Sequence, residues 1–251
     1  MWSRDVKRLS GIWNVPPPAS NLFVLIRWCM YDFRPNLVIG FHGCDIRVRD
    51  NLLNHPNEIA ISQKPYDWLG HGMYFWEYNY DRALSWAEDK KRRGAIETPA
   101  VIGAVLYLGY CCDLTDTKFI HLLADAYERM AKEGKNAKKE LPRNRDLPND
   151  VHKDKLWRDL DCATIEFMHD QISERVQQDV QQKGFSQIRI FDSTRGIFTE
   201  GGAAFEGSEI QAKTHTQLCI RNLNCIQGFF LPRREVEYLP WLESARDHSA
   251  A

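Results

Sequence analysis

The sequence predicts an α+β fold, on three observations. The run ETPAVIGAVLYLG at 97–109 is nearly unbroken in apolar residues and reads as a strand buried on both faces. A second apolar run, VIGFHG at 38–43, reads as another strand, and several stretches with helical periodicity separate the strand candidates. A chain of 251 residues with 43% hydrophobic and 12% aromatic content is long enough for one well-buried domain and lies outside the disordered range.

The first 30 residues differ in character from the rest of the chain. The tract VPPPAS at 15–20 cannot join a core helix or a central strand. The apolar run LFVLIRWCMY is broken by Arg27, is too short to span a bilayer and is unlike a signal peptide. We expect a poorly ordered extension over 1–30 with the native start at Met30, a single domain over 31–235, and a tail over 236–251. No membrane partner is expected.

After the strand at 37–43, DIRVRDNLLNH reads as a short polar helix and 61–72 as a loop rich in turn residues. From Tyr80, Ala83, Leu84 and Ala87 share one face of an amphipathic helix, with Trp86 turned to a pocket or to the core. The strand at 97–109 follows, then a helix over 113–134 with Thr115 as N-cap and glycine at its end. A charged, proline-bearing insertion covers about 134–155; it is the best candidate for a phosphate-facing patch, although a solvated loop is the commoner outcome of such a run. The stretch 158–184 is helical, burying Cys162, Ile165, Phe167 or Met168, and Ile172. FSQIRIF at 185–191 alternates as a half-buried strand does, and 214–230 holds one or two more strands.

A net charge of −1 gives no global pull toward nucleic acid or anionic membrane, so a polyanion would have to meet a local patch. Seven cysteines without a regular framework and without a CxxC pair fit reduced thiols in a cytoplasmic protein, with no metal.

Two segments carry the chemistry. VIGFHGCD places His42 and Gly43 at a strand end, where an imidazole stands beside a backbone with no side chain. YDWLGHGMYFWE then delivers Gly70, Gly72, Tyr74 and Phe75, and an aromatic ring there would give a planar amide a stacking face. Taken singly, such residues are most often structural; their order carries the reading.

That order resembles the ADP-ribosyltransferases, in particular the branch similar to poly-ADP-ribose polymerases and diphtheria toxin. Over about 37–232 the chain is also similar to a group of bacterial proteins sharing the patterns FHGCD, YDWLGxGxYFWE and HxQxCxRN. The resemblance implies two packed, mostly antiparallel sheets with a central NAD cleft and flanking helices. It implies NAD as substrate, with no metal, and transfer of ADP-ribose to a macromolecular acceptor, protein or nucleic acid, in the setting of a bacterial toxin or defence effector. His42 would orient the ribose, Gly43 would fix the carboxamide, and Tyr74 would stack on nicotinamide, with Gly72 and Phe75 completing the cofactor motif.

The family's third motif places a glutamate near the start of a late strand. TQLCIRN puts Gln217 there, and an amide can hold a ribose but is a poor proton acceptor. Glu200, Glu206 and Glu209, in a glycine-rich loop just before, are candidates to supply the carboxylate. Arg195 could bond a phosphate of NAD or the acceptor, or pair with Asp192 or Glu200 as a structural element. His215, Gln217, Cys219 and Arg221 share one strand face. Two rival readings remain open: a non-catalytic module binding NAD or a partner, and a metal-independent nuclease using His42 and His215.

Overall fold

The computed structural model describes residues 33–148 and 150–233; the expected extension over 1–30, the start at Met30 and the tail over 236–251 lie outside them. The chain runs β1 (Phe33–Asp45), α1 (Ile46–Asn54), β2 (Met73–Glu77), α2 (Tyr80–Arg92), β3 (Pro99–Asp113) and α3 (Thr117–Asn136). It continues through β4 (Asn144–Arg145), β5 (Trp157–Arg158), α4 (Asp159–Lys183), β6 (Ser193–Phe198), β7 (His215–Ile220) and β8 (Ile226–Phe230).

Six strands form a mixed sheet in the order β1-β2-β7-β6-β3-β8, and β1 also pairs with β3. That extra pairing closes β1, β2, β7, β6 and β3 into a ring, so in place of two separate sheets one curled sheet faces itself across a shared interior. The length of β3 makes this possible. It pairs with β1 on one edge and with β8 and then β6 on the other. Only β3 and β6 run parallel; the other pairings are antiparallel. β4 and β5 form a separate two-stranded ribbon at the charged insertion.

The ring interior is filled by Phe75 of β2, Ile102 and Leu106 of β3, and Leu218 and Ile220 of β7, all fully buried. Each such side chain stabilises the fold by roughly 1.5–3 kcal/mol relative to exposure. Outside the ring, α2 seats Ala83 against Trp76 and Val101, and α3 and α4 bury Phe119, Leu122, Met168 and Ile172 against Tyr110, Cys112 and Phe191.

Several local readings change. The N-cap of α3 is Asp116, whose carboxylate accepts from the Lys118 amide; Thr115 instead donates twice to Asp113. α3 continues through Gly134 to Asn136. On α4 the fully buried residue is Met168, with Phe167 only half-buried. The alternation at 185–191 forms no strand: Phe185 and Ile190 are exposed, and the strand is Ser193–Phe198. Its signal is masked because its inward-facing residues are polar. Ser193 donates to the Leu108 carbonyl, and Arg195 is held by carboxylates.

Candidate functional site

The β1–β2 ladder consists of two pairs, Gly40 with Glu77 and Phe41 with Trp76, after which the strands part. His42 spans the parting: its Nδ1 lies 2.8 Å from the Tyr74 carbonyl oxygen. A carbonyl only accepts, so Nδ1 carries the proton and Nε2 presents its lone pair. Burial lowers the His42 pKa to about 4, against the Tyr74 carbonyl and with help from the Lys90 charge, so the ring is neutral at pH 7. Nε2 has no hydrogen-bond partner among the described residues.

The following residue meets α2. A Cβ on Gly43 would sit 2.1 Å from the Ala83 carbonyl oxygen, so the missing side chain is what lets α2 lie on β1. Tyr74, one strand over, is tied at its tip. Its hydroxyl accepts from the Leu69 amide at 2.9 Å and donates to the Gly70 carbonyl at 2.8 Å. Gly70 holds that turn at φ +82°, a left-handed conformation that favours glycine. Burial raises the Tyr74 hydroxyl pKa well above its ordinary value, so it stays protonated and fixed. Gly72 bridges to Ser62 at the loop's end, and Phe75 points into the ring interior.

Gln217 lies on the next strand, opposite Trp76. His42, Tyr74 and Gln217 thus come from three neighbouring strands, β1, β2 and β7. Only the first two touch. His42 is opposite Ile102 and turns to the interior, whereas Gln217 shares the outer face with Trp76 and accepts a 2.6 Å hydrogen bond from Trp68 Nε1.

A polar and aromatic cluster surrounds Gln217. Trp68 meets Phe198 edge-on at 5.0 Å, His215 stacks on Phe198 at 5.6 Å, and the Arg158 guanidinium lies 4.0 Å above that ring. His215 Nδ1 donates to the Lys213 carbonyl, burial lowers its pKa to about 4, and its Nε2 is buried without a partner. Of the three loop glutamates, Glu200 joins this cluster: it is buried, ion-paired with Arg82, and 3.9 Å from His215 Nδ1. Glu206 and Glu209 are exposed on the loop beyond it.

Arg195 is corrected. Its side chain lies on the face of Leu218, opposite to that of Gln217, with Nε 2.7 Å from Glu77 and Nη1 3.2 Å from Asp113. The partners are neither Asp192 nor Glu200: Nε is taken by Glu77 and Nη1 by Asp113.

The residues that sequence reasoning missed are Trp68 and Arg82. Trp68 stands in the quoted YDWLG motif, and its indole N–H was the signal, because a tryptophan in a turn needs an acceptor. Arg82 gave none beyond its place after Asn79, whose side chain caps α2 by accepting from the Arg82 amide. All six cysteines among the described residues are free and buried. Among those residues no helix is long and apolar enough to cross a membrane, and no group of three or more His, Cys, Asp or Glu stands together as metal ligands. No family model, curated protein or solved structure matches the chain.

Proposed function

We propose that the protein is an NAD-dependent ADP-ribosyltransferase of the type its motifs resemble, cleaving the bond between nicotinamide and ribose and passing ADP-ribose to a macromolecular acceptor. The observation that carries this reading is the parting of β1 and β2 at His42, where a neutral imidazole with a free Nε2 stands beside Gly43 and Tyr74. His42 Nε2 accepts from a ribose hydroxyl. Tyr74, which pairs with Cys219 and turns its ring to the outer face, contributes at the parting through the backbone carbonyl that holds His42. As the glycosidic bond breaks, its electron pair leaves with nicotinamide and positive charge grows on the ribose carbon. The acceptor attacks that carbon, and its proton passes to a carboxylate. With Gln217 in the third position, the carboxylate beside it is Glu200, which lies with Gln217 on the sheet face opposite to that of His42.

One observation favours the second reading, a non-catalytic NAD- or partner-binding module: the Gln217 amide is already bonded to Trp68. The nuclease reading loses its geometry. His215 Nδ1 is bonded to the Lys213 carbonyl and its Nε2 is buried, so it presents no accessible acid or base to a phosphate.

The test compares nicotinamide release from NAD by the wild type, Gln217→Glu and Glu200→Gln. We expect release by the wild type, a rise of about tenfold or more in Gln217→Glu, and a loss of similar size in Glu200→Gln. Release confined to Gln217→Glu would assign the native protein to the binding module.

A further inference from the structure

A cavity of about 550 Å³ lies apart from His42, Tyr74 and Gln217. Gln63, Pro65 and His71 of the 61–72 loop form one wall, Pro142, Arg143 and Arg145 of the charged insertion another, and α4 closes it with Cys162 and Ala163. The volume falls within the range of small-ligand sites, and Pro65, Pro142, Cys162 and Ala163 give it an apolar floor among polar and charged side chains.

The charges around it do not cancel. Asp159 is held by Arg145 at 2.9 Å, and Glu166 is held by Arg221 and by the His71 amide at 2.8 Å. Arg143, exposed at the rim, makes no ion pair among the described residues. Across the insertion, 134–155, seven Lys and Arg stand against four Asp and Glu, in a chain whose net charge is −1. The insertion is therefore a local basic patch on a protein with no global attraction for polyanions.

Aromatic faces adjoin the same place. Tyr66, next to Pro65, is exposed and stacks on Trp157 at 6.3 Å, and the Arg145 guanidinium lies 5.0 Å above the Trp157 ring. Stacked aromatics interleaved with arginines beside an apolar hollow suit an unstacked base with its phosphate outside. The Cys162 thiol supplies no nucleophile, since burial pushes its pKa up to about 12 and it donates to the Lys64 carbonyl.

We propose that this cavity binds a base of single-stranded nucleic acid, with Arg143 on the adjoining phosphate. Nucleic acid is then the acceptor class, a step that rests on the transferase reading; the binding itself does not. Loop 61–72 joins the two sites, because His71 lines the cavity while Leu69 and Gly70 hold the Tyr74 hydroxyl.

The test is fluorescence anisotropy of short labelled DNA and RNA oligonucleotides with the full chain, without NAD, at about 50 and 200 mM salt. We expect binding that weakens with salt, and a further loss of at least about tenfold in Arg143→Glu and in Ala163→Trp, which fills the hollow. Thermal melts check that each variant is folded; Arg143→Glu, at an exposed position, decides the matter if Ala163→Trp does not fold. No binding at the lower salt, equal binding by folded Arg143→Glu, or tighter binding of an acidic peptide than of either oligonucleotide would overturn the proposal. Because NAD is absent, none of these outcomes bears on nicotinamide release, and a protein that binds oligonucleotide but releases no nicotinamide keeps this site while losing the transferase reading.

Discussion

Replacing Arg195 by alanine will lower the unfolding free energy by about 3–5 kcal/mol, as read from urea denaturation, because it takes the guanidinium from two mostly buried carboxylates, with Asp113 retaining the hydrogen bonds from Thr115. Glu77 and Asp113 are mostly buried, on β2 and β3, and Arg195 on β6 is the cation that ties them together. The closed ring brings three strands to one cation at the end of its interior, so the loss reports on closure as well as on charge. Replacing all three by apolar residues of similar volume will recover much of the loss, since a buried pair is costly to break and cheap to remove whole. A loss under about 1 kcal/mol would mean that the guanidinium is screened by water and free for a ligand after all.

The second large effect is at Gly43. Gly43→Ala will cost about 3 kcal/mol or more, because the new methyl group would meet the Ala83 carbonyl oxygen at 2.1 Å, backbone against backbone, with no side chain able to yield. Either α2 moves off β1 or the strand bends, and Trp76, Ala83 and Val101 lose their packing together. The same measurement, set beside a melt in saturating NAD, separates packing from binding. A variant as stable as the wild type but blind to NAD would assign the glycine to the ligand alone.

These two residues show where the sequence was legible. The apolar run of β3 and the 3.6-residue period of α2 are written in one kind of residue, so the hydrophobic pattern reveals them directly. β6 is not, because its inward positions are Ser193 and Arg195, satisfied by partners that are far away in the chain. Periodicity cannot report an ion pair between β2, β3 and β6. The closing of the ring was hidden for the same reason: it depends on β3 serving β1 on one edge and two strands on the other. At the candidate site the sequence pattern placed His42 and Gln217 on strands but put Tyr74 and Phe75 at the opening of a helix, whereas Met73–Glu77 is the strand β2 between them. It did not foretell that side chains alternate, so that Gln217 faces Trp68 and Glu200's cluster while His42 faces the interior. Gly43 shows the converse, since a residue assigned to a ligand by pattern has a sufficient reason in the packing of α2.

The transferase reading stands or falls on His42. The most direct measurement is nicotinamide release from NAD by the wild type and by His42→Ala, with folding of both confirmed by thermal melts. The geometry predicts release by the wild type and a loss of at least about a hundredfold in the variant, since removing the imidazole leaves nothing to orient the ribose where β1 and β2 part. Equal release by both proteins would contradict the account.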